Sequence, residues 1–493
     1  MVQHRFDLDA RADDHRCLYS GVLIYRCSSR GISWNDEIRS LKSGRLLFVR
    51  HLSIRALSFL SVSSPNPDVA TITLRKVTLR LIPFLFLLYI VAWLDRVNVG
   101  FAALQMNSKL GFSSAAFGFG SGVFFLGYCL CEVPSNLILH RVGARRWIAR
   151  IMMSWGAISV AMMFIQSTSA FYTLRFLLGA AEAGFFPGVV YYLSHWYPEA
   201  QRARAIAAFM TAVPVSGVIG GPLSGALLKL NGVFGLAGWQ WLFLVEGVPA
   251  ILLGAIVLVY LTERPEVAGW LAPLERDWLV KKLADERVGR DTAQASGITA
   301  ALTNPTIWQL GIIFLLAAVG FYGYSFWAPL VIQSLTKSSD LGVGLILGAI
   351  SAVTIGFMVF NSAHSDRTRE RPLHVAIPLL ISGAGFFGCA LFRQPIWALF
   401  SLALVPIGHC SAYGPFYSVP MRFLTGAPAA AGIALVVTIA NVGGFVGPTV
   451  IGVMKDRFEG YGPAFFLLAA CAIVAALLAL RLRRVSALQT SSS

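Results

Sequence analysis

The stretch Leu174–Gly188, LRFLLGAAEAGFFPG, places Arg175 and Glu182 inside an otherwise apolar run. Their spacing is about two helical turns, so on a helix both lie on nearly one face, about 10 Å apart along the axis. That distance is too long for a direct salt bridge, and each charge therefore needs another partner. Ionisable groups at membrane depth usually face a protein-lined cavity. The stretch indicates a functional site in a membrane; a structural pair satisfied by neighbouring helices is the alternative.

The composition of the 493-residue chain supports a membrane protein. Hydrophobic residues make up 56% and charged residues 13%, against roughly 25% charged in soluble domains. The formal charge of +16 comes from Lys and Arg residues that lie mostly between apolar segments, which argues against a nucleic-acid surface. Cys129 and Cys131 lack the partners of a zinc site, so packing is favoured over metal. We predict no metal and no cofactor.

About twelve apolar segments follow Arg80, each near the 20 residues that a 30 Å hydrocarbon core requires. The pattern predicts an all-α integral membrane protein with approximate spans at 81–104, 115–138, 147–166, 170–193, 204–228, 240–261, 306–332, 341–362, 374–392, 395–417, 428–453 and 462–481.

Basic residues cluster in alternate loops, which predicts the orientation of the chain. One side receives, for example, Arg141, Arg145 and Arg146 after span 2 and Arg367 after span 8, whereas the opposite loops hold mostly isolated basic residues such as Lys337. By the positive-inside rule both termini are expected in the cytoplasm, in a bacterial-type inner membrane.

The longest internal loop divides the spans six and six. We predict a cytoplasmic, disordered extension at 1–74, or translation from an upstream start codon, then a first half at 75–262, a central loop at 263–304, a second half at 305–484 and a tail at 485–493. In the loop, PLERDWLVKKLADER (Pro273–Arg287) has helical apolar spacing that predicts an amphipathic surface helix. A solvated connector is favoured there over a regulatory or partner-binding role.

Two six-helix halves are typical of parallel-repeat secondary transporters, whose substrate site lies near the midplane between the halves. The loops after spans 2 and 8 strengthen this interpretation, because HRVGARR (His140–Arg146) and SDRTRER (Ser365–Arg371) are similar basic turns at equivalent places.

The chain resembles the major facilitator superfamily over about residues 78–485, and within it the anion:cation symporters of organic acids such as tartrate, galactonate or phthalate. The resemblance rests on the opening stretch and on LDRVNVGFA (Leu94–Ala102), GYCLCEVPSNL (Gly127–Leu137), SHWYPEAQRARAIA (Ser194–Ala207), YGYSFWAP (Tyr322–Pro329), YGPFYSVP (Tyr413–Pro420) and NVGGFVGP (Asn441–Pro448). The chain departs from the family at His140, where the gating motif usually carries Asp, and at VVT 436–438, which replaces a more polar triplet.

The resemblance implies roles for several residues of the first half. Asp95 and Glu182 match the protonatable pair, Arg96 and Arg175 match the residues that handle the substrate carboxylate, and Tyr128 matches a further polar contact. Gating is implied for two loops, through Arg141, Gly143, Arg145 and Arg146 in the first and Asp366 and Arg367 in the second.

The residues of span 1 agree with these roles. Tyr89 and Arg96 share a helical face, whereas Asp95 is rotated by about 100° from Arg96 and is expected to reach toward span 4. A guanidinium offers a planar fork to a carboxylate. A carboxyl group removed from water exchanges protons more readily near neutral pH, and a nearby Arg opposes this until an anion screens it.

Charge is distributed unequally between the halves. Six charged residues of the first half lie well inside its spans, away from the span ends, whereas none lies well inside spans 7 to 12 apart from the titratable His409. We expect the first half to bind the proton and the anionic head. The second half would contact the rest of the substrate, with packing as the alternative for each candidate: Tyr322, Tyr324, Trp327, Ser411, Tyr413 and Asn441. Structural pairing is favoured for Glu132 and Glu246, and helix packing over a proton relay for His409.

The sequence thus predicts a monomeric, proton-coupled symporter that takes up a small organic anion, such as a sugar acid, a hydroxy-dicarboxylate or an aromatic carboxylate, from within a lipid bilayer. An efflux antiporter is the second interpretation, because SGVIGGPLSGALL (Ser216–Leu228) partly resembles the Gly-Pro motif of drug and proton antiporters. A membrane enzyme or receptor is disfavoured by the absence of a recognisable catalytic motif.

Overall fold

The predicted all-α architecture is confirmed in the computed structural model, which describes residues 69–288, 302–418 and 427–491. Residues 68–493 form one structural unit that contains both six-helix halves. Most of the predicted extension 1–74 lies outside the described residues, as do 289–301 of the central loop and the last two residues of the predicted tail.

The described residues contain twelve helices that are long and apolar enough to cross a membrane, as predicted. In chain order, spans 1 to 12 are Val69–Leu110, Ser114–Val142, Ala144–Phe164, Thr168–Ser194, Glu199–Leu228, Gly238–Tyr260, Pro305–Thr336, Asp340–Thr368, Pro372–Leu391, Pro395–Tyr417, Gly432–Phe458 and Gly462–Leu482. We call the face where span 1 begins and span 12 ends the terminal side, and the opposite face the distal side.

Span 4 is not the continuous helix that the hydropathy pattern predicts. It consists of Thr168–Glu182 and Phe185–Ser194, with Gly184 between them at φ 90° and ψ −2°. That left-handed conformation suits glycine, and a Cβ here would overlap Ser135. The hydroxyl of Ser135 in span 2 donates to the carbonyl of Ala183 at 2.6 Å. The break places Glu182 at the end of a helical segment. The carbonyl of the next residue, Ala183, receives its hydrogen bond from span 2.

The two halves meet closely toward the distal side, through spans 2 and 11 and through spans 5 and 8. A Cβ added to Gly221 of span 5 would lie 2.5 Å from the carbonyl oxygen of Gly344 in span 8, and one on Gly225 would lie 2.6 Å from the carbonyl oxygen of Asp340. Close backbone approach between membrane helices depends on such small residues. Spans 5 and 8 therefore pack closely through these glycines.

Polar contacts connect the same distal ends. The carboxylate of Asp456 in span 11 accepts hydrogen bonds from the backbone N–H groups of Ser114 (3.1 Å) and Ala115 (2.7 Å) at the start of span 2. The amide of Gln105 in span 1 donates to Asp340 of span 8 at 2.7 Å. Asp456 thus satisfies N–H groups that a helix start leaves unpaired, and it does so across the two halves.

The amphipathic helix predicted in the central loop is present as Pro273–Val288. Leu279 and Leu283 are buried, whereas Leu274 is 77% exposed and does not belong to the buried face. Lys76, on the terminal side of span 1, donates to Glu275 at 2.6 Å, and this hydrogen bond holds the pKa of Glu275 below its usual value. The helix is therefore attached to the first half beside span 1.

Candidate functional site

A buried ion pair joins Arg96 of span 1 to Glu182 of span 4. The side chain of Arg96 is 11% exposed and that of Glu182 is 2% exposed. Three aromatic rings lie 5.4–5.5 Å from the guanidinium carbon, which favours the cation: Trp93, Phe124 and Tyr128. Each charge is stabilised mainly by the other, because little water reaches either group.

Tyrosines from both halves surround this pair. Tyr89 and Tyr322 interact electrostatically with both Arg96 and Glu182. Tyr89 stacks on Phe209 with ring centroids 4.5 Å apart, and Tyr322 contacts the edge of Phe125 at 4.4 Å. We call Tyr89, Arg96, Tyr128, Glu182 and Tyr322 the Arg96–Glu182 cluster. Five residues predicted from the sequence are thus brought together by spans 1, 2, 4 and 7.

Arg175 lies outside this cluster. It is fully buried, and it donates to the backbone carbonyls of Gly120 (Nε, 3.3 Å) and Ser121 (Nη2, 3.2 Å) in span 2. Within the described part of the chain, its Nη1 has no hydrogen-bond partner. The ring of Phe124 contacts both guanidinium groups, with the carbon of Arg175 at 5.0 Å from the centroid and that of Arg96 at 5.5 Å. In this structure Arg175 connects spans 2 and 4.

Asp95 does not reach toward span 4, as the sequence led us to expect, but toward span 3. It accepts hydrogen bonds from Trp155 Nε1 at 2.9 Å and Ser159 Oγ at 2.8 Å. Asn98, one turn along span 1, places its Nδ2 3.5 Å from the same carboxylate. The rotation between neighbouring helical positions explains the result, because it turns Asp95 away from the face that carries Arg96.

The two carboxyl groups predicted to be structurally paired have uncharged side chains as their hydrogen-bonding neighbours. Glu246 of span 6 accepts a hydrogen bond from Ser224 Oγ of span 5 at 2.8 Å, and it also faces Asn98. Glu132 of span 2 lies beside Thr438 of span 11. The hydrogen-bonding neighbour of Glu132 is thus a hydroxyl from the other half.

In the second half, several candidates contribute to packing. His409 stacks on Phe321 with centroids 4.4 Å apart, and its Nε2 lies 3.0 Å from the hydroxyl of Tyr413. Trp327 donates to the carbonyl of Pro448 at 3.1 Å.

The remaining candidates of this half are buried. Tyr324 is 9% exposed, Asn441 is also 9% exposed and Ser411 is 4% exposed. The backbone carbonyl of Ser411 accepts a hydrogen bond from Asn361 at 2.8 Å, whereas its hydroxyl has no partner.

A cavity of about 110 Å³ lies between the halves. Spans 1, 5, 7, 8 and 10 line it, mostly with apolar groups, and it begins beside Trp93, the ring that contacts Arg96. Ser224, the hydrogen-bond donor to Glu246, belongs to the wall of the cavity. The cavity is therefore adjacent to the Arg96–Glu182 cluster and to the polar groups around Glu246.

The loop after span 2 forms a second cavity, of about 330 Å³, on the terminal side. Arg141, Gly143, Arg145 and Arg146, for which the resemblance implies gating, line it, and Gly143 adopts φ 95°. The carboxylate of Glu263, which follows span 6, accepts from the backbone N–H of Arg145 at 3.2 Å. With His140 in place of the usual Asp, the acidic partner of this loop is Glu263.

The equivalent loop after span 8 is connected by a salt bridge. Asp366 pairs with Arg371 at 2.6 Å, and Arg371 also donates to Ser365 Oγ at 3.0 Å. Arg367 lies in the last turn of span 8 and is exposed. The two basic turns, similar in sequence, are thus held by acidic partners from different places in the chain.

The sequence interpretation missed four polar residues that the structure connects to the candidate site: Asn98, Ser159, Ser224 and Glu263. Asn98 carried a usable signal, because it follows Asp95 by three positions on one helix. Ser159 and Ser224 carried none, since small hydroxyl residues are common in membrane helices.

Comparison with known proteins places the chain in a family. The family model described as "Major Facilitator Superfamily" matches residues 85–448. A protein of Agrobacterium vitis named "Putative tartrate transporter" is 48% identical over 421 residues, which cover 85% of this chain and 97% of that protein. The "Quinolone resistance transporter" of Acinetobacter baumannii is 40% identical over 385 residues, or 78% of this chain and 88% of that one.

A solved structure supports the same fold. A bacterial homologue of the human lysosomal transporter Spinster, in an inward-facing and occupied conformation, aligns with a TM-score of 0.68 at 19% identity, covering 82% of this chain and 96% of that one. Proteins of the family that the matched model describes are membrane-embedded carriers of small substrates. The matched length, the two six-helix halves and the close relatives lead to one assignment: the chain belongs to the major facilitator superfamily.

Proposed function

We propose that this protein is a secondary active transporter that takes up a small organic anion together with protons. The substrate class is a carboxylate such as a sugar acid, a hydroxy-dicarboxylate or an aromatic acid. The observation that carries the proposal is the buried Arg96–Glu182 ion pair, surrounded by tyrosines beside a cavity between the halves.

The pair supports coupling because one guanidinium has two competing partners. A substrate carboxylate can accept a bidentate hydrogen bond from Arg96 only when Glu182 releases it. Protonation of Glu182 removes its charge and favours that release, so the anion and the proton bind together. Return of Glu182 to Arg96 would expel the anion after the proton has left.

The other predicted groups have supporting roles in this proposal. Tyr89, Tyr128 and Tyr322 would orient the carboxylate by their hydroxyl groups, and Ser411, Tyr413 and Asn441 would contact the rest of the substrate. Arg175 has an unpartnered Nη1 beside the ring of Phe124 that it shares with Arg96. A movement of Phe124 would allow a second guanidinium to contact the anion.

We place the terminal side in the cytoplasm of a cell with an inner membrane. The clusters of Arg141, Arg145 and Arg146 and of Arg367, Arg369 and Arg371 lie on that side, in accord with the positive-inside rule. The loops after spans 2 and 8, with Glu263 and Asp366 as acidic partners, would restrain opening on this face. The close contacts on the distal side would restrain opening toward the outside.

Efflux by proton exchange is the second candidate. It is favoured by the 40% identical relative named for quinolone resistance and by the glycines and proline of span 5. The positive charge beside the cavity favours an anion over a cation, because two guanidinium groups, those of Arg96 and Arg175, flank Phe124, whereas the one carboxylate of the cluster is that of Glu182.

Reconstituted protein tests the proposal. Proteoliposomes with a controlled orientation would be given a panel of labelled sugar acids, dicarboxylates and aromatic acids, with the outside more acidic than the inside. We expect at least one acid to accumulate inside above its external concentration. The matched control is Arg96→Gln, which removes the carboxylate hook and should abolish accumulation.

Accumulation of the same acids without a pH gradient would contradict proton coupling. Accumulation of quinolones, but of none of the acids, when the inside is the more acidic compartment would support exchange and contradict the symport proposal.

A further inference from the structure

A second buried polar cluster lies on the side of span 1 opposite to Arg96. It consists of Asp95 and Asn98 from span 1, Ser159 from span 3, Ser224 from span 5 and Glu246 from span 6. All five side chains belong to residues that are 4% exposed or less. Among the parts of the chain that the structure describes, no basic side chain interacts electrostatically with Glu246. The carboxyl groups of Asp95 and Glu246 therefore share this interior, and no cation lies close to Glu246.

The hydrogen bonds assign opposite protonation states to these two carboxyl groups. Asp95 accepts from Trp155 Nε1, from Ser159 Oγ and, at 3.5 Å, from Asn98 Nδ2. Three donors directed at one carboxylate favour its ionised form. Glu246 accepts from Ser224 through Oε1, and its Oε2 is buried without a hydrogen-bond partner among the residues that the structure describes.

The surroundings of Glu246 favour a proton on its unpartnered oxygen. Ionised Glu246 would place a second negative charge beside Asp95 in a buried interior, and a nearby like charge disfavours ionisation. A protonated Glu246 keeps Oε1 as the carbonyl oxygen that accepts from Ser224 and carries its proton on Oε2.

We propose that Glu246 carries a proton on Oε2, and that this is a second proton site of the transporter, separate from the Arg96–Glu182 cluster. The groups that act on Glu246 are Asp95 and Asn98 from span 1 and Ser224 from span 5. Ser224 lines the cavity between the halves, which gives the proton a route to the substrate path. The role in transport rests on the proposed function, whereas the proton on Glu246 does not.

Infrared difference spectroscopy of the purified, substrate-free full chain tests the site without any transport. At about neutral pH exposed carboxyl groups are ionised, so a carboxylic-acid C=O band reports buried protonated groups. We expect Glu246→Gln to remove one such band from the parent spectrum. Glu182→Gln is the matched control and should leave that band in place, because Glu182 is held ionised by Arg96.

Ser224→Ala keeps the acid and removes the hydroxyl that donates to its carbonyl oxygen, so it should shift the band to higher wavenumber without deleting it. This variant decides the question if Glu246→Gln does not yield folded protein. An unchanged acid band in Glu246→Gln, or an unshifted band in Ser224→Ala, would overturn the site. The same outcome is expected if Glu246 is ionised beside a bound metal cation, and that state would also contradict the proposal.

Proton stoichiometry tests the role in transport. The proton-to-anion ratio, obtained from reversal potentials in proteoliposomes, should fall by one in Glu246→Gln while the variant still transports the anion. A ratio equal to that of the parent would overturn the coupling role. If no acid is transported by the parent protein, the proposed function fails, and the infrared result still decides whether Glu246 holds a proton.

Discussion

Neutralising Glu182 should strengthen anion binding, which is unusual for removal of a buried charge. Glu182→Gln preserves the shape of the side chain but cannot hold Arg96 as an ion pair. In the parent protein a substrate carboxylate must displace Glu182, whereas in the variant Arg96 has no anionic partner to lose. We therefore expect the variant to bind the organic anion more tightly than the parent at about pH 8, where the parent carboxylate competes best.

The burial of the pair sets the magnitude. With 11% and 2% side-chain exposure, water screens the two charges little. Loss of one partner from a buried pair costs about 3–5 kcal/mol, and an amide oxygen that still accepts a charged hydrogen bond returns about 1.5–3 kcal/mol. The remaining difference of roughly 1–2 kcal/mol is available to a bound carboxylate, which corresponds to about tenfold tighter binding.

The pH dependence gives a second, independent signature. In the parent, protonation of Glu182 frees Arg96, so affinity should rise as the pH falls, by up to about tenfold per pH unit for one coupled proton. In Glu182→Gln that dependence should disappear. The two proteins should therefore converge at low pH, once the parent carboxyl is protonated.

Equilibrium binding of a labelled acid to detergent-purified protein measures both quantities. Glu132→Gln is the matched control. Glu132 is another carboxyl group within the spans, but it lies beside Thr438, and the ion pair of Arg96 is formed with Glu182. The control variant should therefore keep the pH dependence of the parent. Weaker binding by Glu182→Gln at about pH 8, or an unchanged slope, would refute competition for Arg96.

Three further changes test other parts of the structure. Arg175→Lys should lower the thermal unfolding midpoint, because an ammonium group cannot keep both backbone bonds of the guanidinium, each of about 1.5–3 kcal/mol. Gly221→Ala should also lower the midpoint, because its Cβ would meet a carbonyl oxygen at 2.5 Å, whereas Gly356→Ala, with nothing within 4 Å, should not. Single cysteines replacing Lys282 and Lys337 in a cysteine-free background should be labelled only from the cytoplasm and only from outside, respectively.

Each of these experiments has a contrary outcome. An unfolding midpoint for Arg175→Lys equal to that of the parent would mean that the bonds to span 2 contribute little. Equal midpoints for the two glycine variants would contradict close packing of spans 5 and 8. Labelling of both cysteines from one face, or from reversed faces, would contradict the orientation.

The sequence predicted the spans well because membrane helices are specified locally. A run of about 20 apolar residues is sufficient to identify one, and neither its partners nor its tilt is needed. The break in span 4 was missed because it depends on contact with Ser135 of span 2 as well as on Gly184 itself. Local composition could not show which glycine adopts a left-handed conformation.

The site was predicted in part for the same reason. Charges inside apolar segments identified Asp95, Arg96, Arg175 and Glu182 without reference to their neighbours. Which charge pairs with which depends on contacts between helices that are distant in sequence. The direction of Asp95 was wrong because Ser159, 64 positions later, carried no distinguishing signal.

The central claim is that anion and proton move in the same direction. The most direct test uses proteoliposomes that enclose a pH-sensitive dye and start at equal pH on both sides. A transported acid is then added to the outside only. We predict that the lumen acidifies as the anion enters, and that Glu182→Gln, while still exchanging the anion, fails to acidify it. A lumen that becomes more alkaline, or that stays at constant pH while the labelled anion enters, would contradict proton symport.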